Sequence, residues 1–276
     1  MLRRTLLSLM ACASLLAPLP VLAAPVDDLA QALRLPELFG VLAQEGVSYG
    51  ADLEAELFPD AGGNRWDAVV AAIHDKARME AVAMDLLRDE LATHPEAVGR
   101  MTAFFAAEPG AQIVKLEIAA RQAYLDETAK EAAEAAHAEM AAKSDPRLAM
   151  IDRLVAANDL IEQNVAGALN ANLAFYRGMI EGGAVESSLP DAEMMADLWS
   201  QEPQIRQETT EWLLPYLTLA YRPLSDGDLE AYIAFSETAD GQLLNRALFA
   251  AFDGLFNGLS QELGLAAARM LEGQDI

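Results

Sequence analysis

The sequence predicts an all-α protein, a tandem duplicated helical bundle of about ten helices. Alanine, leucine and glutamate dominate, and strand-like alternation of β-branched residues is scarce. Prolines fall mostly between apolar-periodic segments instead of inside them. With 276 residues, 53% of them hydrophobic, the chain is long enough to bury one large core or two small ones.

Taken in order, the chain opens with Arg3 and Arg4, an apolar stretch from Thr5 to Leu22, and the small residues Ala23 and Ala24 before Pro25. This is the three-part pattern of a secretory signal peptide, expected to occupy 1–23 with cleavage after Ala23. A lipoprotein site at Leu9-Met10-Ala11-Cys12 is the competing reading, but it strands the apolar run from Ala13 to Leu22 as a hydrophobic tail. The expected product is exported to the periplasm. Cys12 is the one cysteine, so the mature chain has no disulfide, thiol nucleophile or cysteine metal site. Its stability then has to come from buried apolar area.

Helices are expected near 27–34, 36–57, 65–91, 95–106, 109–142, 146–181, 190–201, 203–221, 226–236 and 239–272. Pro36 after Leu35, Asn64 before Arg65-Trp66, Asp145 before Pro146, and Ser225 three residues ahead of Asp228 mark starts. In the helix from Pro146, the residues Ile161, Val165, Leu169, Leu173, Tyr176 and Ile180 recur three or four apart and should line a buried face. Gly182-Gly183 ends it. The segment Trp212–Tyr221 is apolar around its circumference, as in a central buried helix, with Pro215 expected to kink it. Trp212, Leu213, Pro215, Tyr216 and Tyr221 alternatively form a surface for an apolar ligand or partner, aided by adaptable methionines such as Met194 and Met195.

Lys143-Ser144-Asp145-Pro146 is the best internal boundary, dividing the mature chain into helical repeats over 24–143 and 144–276. Setting Gly110 against Gly241 aligns Met101-Thr102-Ala103-Phe104 with Tyr232-Ile233-Ala234-Phe235 without a gap, and Ala119-Ala120 with Ala250-Ala251. The second repeat carries the motif Ser225-Asp226-Gly227-Asp228-Leu229-Glu230-Ala231-Tyr232-Ile233-Ala234-Phe235, followed by Ser236-Glu237-Thr238-Ala239-Asp240-Gly241-Gln242. The motif resembles the signature of an exported bacterial domain family of unknown function, catalogued as family 2059. There, an acidic capped helix ends in an aromatic pair, followed by Ser-Pro and then Gly. Thr238-Ala239 stands here in place of Ser-Pro and Ser236 in place of the second aromatic, while the first copy keeps Phe104-Phe105 and Gly110 and displaces its proline to Pro109. The resemblance implies export, a helical fold and an unassigned role. Physically the motif is a helix corner: Ser225 and Thr238 cap, Phe104 and Phe235 wedge, and Gly110 and Gly241 let two helix backbones approach.

The charge balance, 43 acidic against 19 basic residues for a net −24, disfavours nucleic acid and anionic lipid surfaces as partners. It solvates helix faces, or attracts a basic partner or divalent cations. Glu134-Ala135-Ala136-His137 has the Glu-x-x-His spacing of a metal-binding helix face, but neither His74 nor His94 supplies a second such pair. No phosphate loop, Gly-x-Ser-x-Gly elbow or His-Glu-x-x-His motif occurs, so no catalytic, cofactor or metal residue is assigned. After Pro25 no apolar run reaches membrane-spanning length. The expected role is a non-catalytic interaction protein of the cell envelope, its partner an unknown envelope protein. The alternative is a periplasmic binder of an apolar small molecule or lipid.

Overall fold

The computed structural model describes residues 26–59, 62–184, 196 and 198–273. The expected leader with its cleavage point at Ala23 lies outside these residues, as does most of the helix expected over 190–201, Met194 and Met195 included. The fold is all-α. Twelve helices form its frame among the described residues. The first seven are α1 (Val26–Ala32), α2 (Leu35–Leu57), α3 (Gly63–Ile73), α4 (Lys76–Leu91), α5 (Pro95–Phe105), α6 (Gly110–Ala123) and α7 (Glu127–Ala142). The remaining five are α8 (Pro146–Ala157), α9 (Leu160–Glu181), α10 (Glu202–Tyr221), α11 (Asp226–Ser236) and α12 (Ala239–Leu271).

Three of the expected helices are each two, and an aspartate sits at every break. Asp75 ends the run over 65–91 by accepting the Arg78 amide at 2.9 Å, and Asp126 ends the run over 109–142 by accepting the Ala129 amide at 3.1 Å. Asp159, at φ 51°, turns the chain between α8 and α9. In each case the flanking helices both bury apolar residues, so the periodicity continues across the break; Asp75 and Asp126 cap the next helix with their side chains, whereas Asp159 makes no side-chain cap bond. The expected starts at Asp145 and Ser225 are present as side-chain caps, accepting the amides of Arg147 at 2.9 Å and Asp228 at 3.1 Å. Where Asn64 was expected to start a helix, the start is Gly63 and the cap comes from α2: Glu54 Oε1 accepts the Gly62 and Gly63 amides.

Among the described residues, two apolar clusters make the core. The first gathers α1 to α5 around Phe39, Trp66, Met79 and Leu87, and it also takes Leu244, Ala247, Ala251 and Leu255 of α12. The second gathers α8, α10 and α11 around Ile151, Leu154, Leu217 and Leu229, and it also takes Ile113 and Ala120 of α6. Each core leucine or isoleucine contributes about 1.5 to 3 kcal/mol by leaving water.

The most extensive helix pairing is α9 against α12. A side-chain carbon on Gly178 would lie 2.1 Å from the Gln261 carbonyl oxygen, and one on Gly264 the same distance from that of Phe175. Only hydrogen fits at this crossing. The buried face of α9 is consequently centred on Val165, Ala174, Gly178 and Met179, whereas Leu169 and Leu173 of the expected stripe are half-buried and line a surface concavity with Trp199. Among the described residues no helix is long and apolar enough to cross a membrane.

Candidate functional site

The two corners are built alike. At the second, Thr238 Oγ1 accepts the Gly241 amide at 3.0 Å, and a carbon added to Gly241 would lie 2.2 Å from the Phe235 carbonyl oxygen. At the first, a carbon added to Gly110 would lie 2.3 Å from the Phe104 carbonyl oxygen, with Pro109 at the cap position and no side-chain cap bond. The corners also meet. Phe104 stacks on Phe235 with ring centroids 4.1 Å apart and planes 10° apart, while Phe105 presents an edge to Phe235 at 5.3 Å. Phe104, Gly110, Phe235, Thr238 and Gly241 thus serve as packing and capping groups of the two corners, whereas Ser225 lies at the other end of α11, where it caps that helix.

The segment 212–221 lies in α10 and supplies the second cluster. Leu213, Pro215, Tyr216 and Tyr221 are buried, and Trp212 is half-buried, stacked on Tyr216 at 5.0 Å. Edges of Tyr124 meet both rings, and the Arg121 guanidinium lies 5.9 Å from the Trp212 ring. The helix continues through Pro215.

Behind these rings lies a polar cluster that sequence reasoning missed. Glu117, on α6, accepts the Tyr221 hydroxyl on Oε1 at 2.6 Å and is also hydrogen-bonded by Tyr232 of α11, and its backbone carbonyl accepts the Tyr216 hydroxyl at 3.0 Å. The residue keeps some exposed surface, but its carboxyl group is enclosed. Burial therefore raises its pKa above the usual carboxylate range, against the opposing effect of the two phenols. Burial beside that carboxylate pushes Tyr221 and Tyr232 well above the ordinary phenol value. One turn on, burial disfavours the Arg121 charge, yet two 2.8 Å bonds to Glu45 of α2 hold the guanidinium above its ordinary value. Tyr124 has a buried hydroxyl without a partner among the described residues, and burial, then the Glu134 charge, raise it to about 12. The phenols and the guanidinium, all raised above values already higher than neutral, serve as hydrogen-bonding groups between helices and are poor proton shuttles at pH 7.

Outside the rings, Glu134, His137, Thr210, Glu211, Leu214 and Pro215 line an open groove of about 400 Å³ between α7 and α10. Thr218 gives its own proton to the Leu214 carbonyl, so His137 Nδ1–H donates to Thr218 Oγ1 at 2.9 Å. That bond turns the expected Glu134–His137 pair toward the α7–α10 contact, and among the described residues no three histidine or carboxylate groups gather in metal-ligating geometry. The signal that could have found the polar cluster is the internal register. It sets Glu117 against Leu248 and Arg121 against Phe252, charged groups at positions where the other half packs hydrocarbon. Comparison of the chain with protein-family models, curated proteins and solved structures finds no match.

Proposed function

We propose that the chain is an exported, non-catalytic helical protein of the cell envelope that works through contact with another envelope protein, and that its halves, 24–143 and 144–276, are tandem copies. The observation that carries the reading is the fate of the aromatic and titratable groups: Tyr216, Tyr221 and Tyr232 are bonded to Glu117, and Arg121 to Glu45, inside the protein instead of lining a cavity. Function is then left to the outer surface, which is strongly acidic and carries Trp199 at 60% exposure.

A photoreactive amino acid replacing Trp199 in intact cells should give one discrete adduct with an envelope protein. Irradiation that yields only uncoupled chain removes the reading. The apolar-ligand alternative draws on the concavity of about 100 Å³ formed by Leu169, Leu173, Leu198 and Trp199. Native mass spectrometry of protein taken directly from the periplasm separates the two, because a bound mass in the lipid range favours the ligand.

A further inference from the structure

The helix after the glycine corner of each half, α6 in the first and α12 in the second, reaches into the apolar cluster centred on the other half. Helix α12 also lies along α9 of its own half, and α6 keeps Val114 in the first cluster. Ile113, Leu116, Ala120 and Tyr124 of α6, in the first half, pack into the second cluster with Leu217, Leu229 and Ile233. Leu244, Ala247, Ala251 and Leu255 of α12, in the second half, pack into the first cluster with Leu87, Val98 and Met101. The register that sets Gly110 against Gly241 sets these four residues against those four, one to one and without a gap.

The helix pairings repeat in the same sense. The contact of α4 with α12 has its counterpart in that of α10 with α6, α1 with α5 in α8 with α11, and α5 with α6 in α11 with α12. The turns entering α2 and α9 are also alike in conformation, with Arg34 at φ 52° and Asp159 at φ 51°, although six residues out of that register. Where the halves meet, Phe104 stacks on Phe235, its own register equivalent. A residue touching its equivalent is the mark of a two-fold, self-complementary interface.

We propose that this chain is the covalently joined form of a helix-exchanged dimer, in which each half packs the helix after its glycine corner, α6 or α12, into the apolar cluster of the other. The proposal rests on the tandem-copy reading and goes beyond it: duplication alone would allow two self-contained domains side by side, each keeping its own post-corner helix. The two halves are then obligate partners, and the link between α7 and α8 holds them at high effective concentration without being part of either core.

The test uses the full folded chain with a specific protease sequence inserted between Ser144 and Asp145. After complete cleavage the two pieces should migrate as one species with the mass of the pair and keep the helical circular dichroism of the uncut chain. Two separate species that each retain helical signal and slow amide exchange would overturn the proposal. Separation with loss of helical signal from both pieces would support it by another route, since each half is then incomplete alone.

A second measurement reads the exchange directly. Ile113→Ala should speed amide exchange in α10 and α11 by about tenfold or more and affect α1 and α4 less, and Leu244→Ala should do the reverse. Faster exchange confined to the half that carries the substitution would overturn the proposal, whether or not the halves arose by duplication.

Discussion

The two cores share a packing scheme and differ in chemistry. In the first, α12 offers Leu248 and Phe252, and Phe252 stacks on Phe39 with centroids 5.8 Å apart. In the second, α6 offers Glu117 and Arg121 at the same register positions, and three tyrosines and Glu45 close around them. A hydrocarbon contact tolerates small errors of placement, whereas a buried carboxyl, guanidinium or phenol must find its partner or lose the full desolvation cost. The difference suggests that the first core supplies bulk stability and the second fixes which helices meet, a division that substitutions can test.

The largest effect should come from the seam between α9 and α12. Gly264→Ala would drive a carbon against the Phe175 carbonyl, where backbone must move instead of a side chain, and should lower stability by ~3 kcal/mol in thermal or urea unfolding. Next, Glu117→Leu, which imitates the first core, should cost about 2 kcal/mol, because it strips the acceptor from the Tyr221 and Tyr232 hydroxyls. Glu117→Gln keeps an acceptor and should cost well under half of that. Equal losses from the two variants would mean that the hydroxyls find other partners and that the contrast between the cores carries no specificity.

Smaller still is the coupling between corners. A double-mutant cycle on Phe104→Leu and Phe235→Leu should return about 1 kcal/mol of interaction energy, the usual worth of an aromatic pair beyond its area. A value near zero would make the stacked rings incidental. The finest distinction is in pH dependence. In the first half, His74 is buried with Nδ1–H donating to the Val70 carbonyl, and burial lowers its pKa from 6.5, so the unfolded chain binds more protons and stability falls as pH drops below that value. In the second, the raised pKa of Glu117 means that the folded chain holds its proton longer, so its contribution is complete below the ordinary value of 4.5 and is lost as pH rises through the folded pKa. His74→Gln should flatten the acid limb of the stability profile alone, and Glu117→Gln the rising-pH loss alone.

The helical class and the two corners were legible in the sequence because their signals are local. Thr238 stands three residues before the glycine amide it accepts, and Phe235 stands one turn before the cap, so composition and spacing suffice. The breaks at Asp75, Asp126 and Asp159 were hidden because helices on both sides bury a face, and an apolar period does not record a change of direction. The seam of Gly178 and Gly264 was hidden for a different reason: a helical glycine reads as a weak position until the partner backbone is known to lie against it. Glu117 was hidden most deeply. On a helix rich in alanine and glutamate it reads as one more solvated carboxylate, and its partners Tyr221 and Tyr232 come more than a hundred residues later in a chain with 43 acidic residues. Long-range pairing leaves no trace in a short window.

Helix α12 runs 33 residues without a proline, a rod of about 50 Å at 1.5 Å per residue. Its residues from Leu244 to Ala268 belong to the first cluster, and along its length it lies on α9, so it ties the second half of the chain to the core of the first and neither end can melt without loosening both. Denaturant titration should accordingly give a single transition whose steepness matches the surface of the whole polypeptide, and no plateau at which half of the spectroscopic signal has gone.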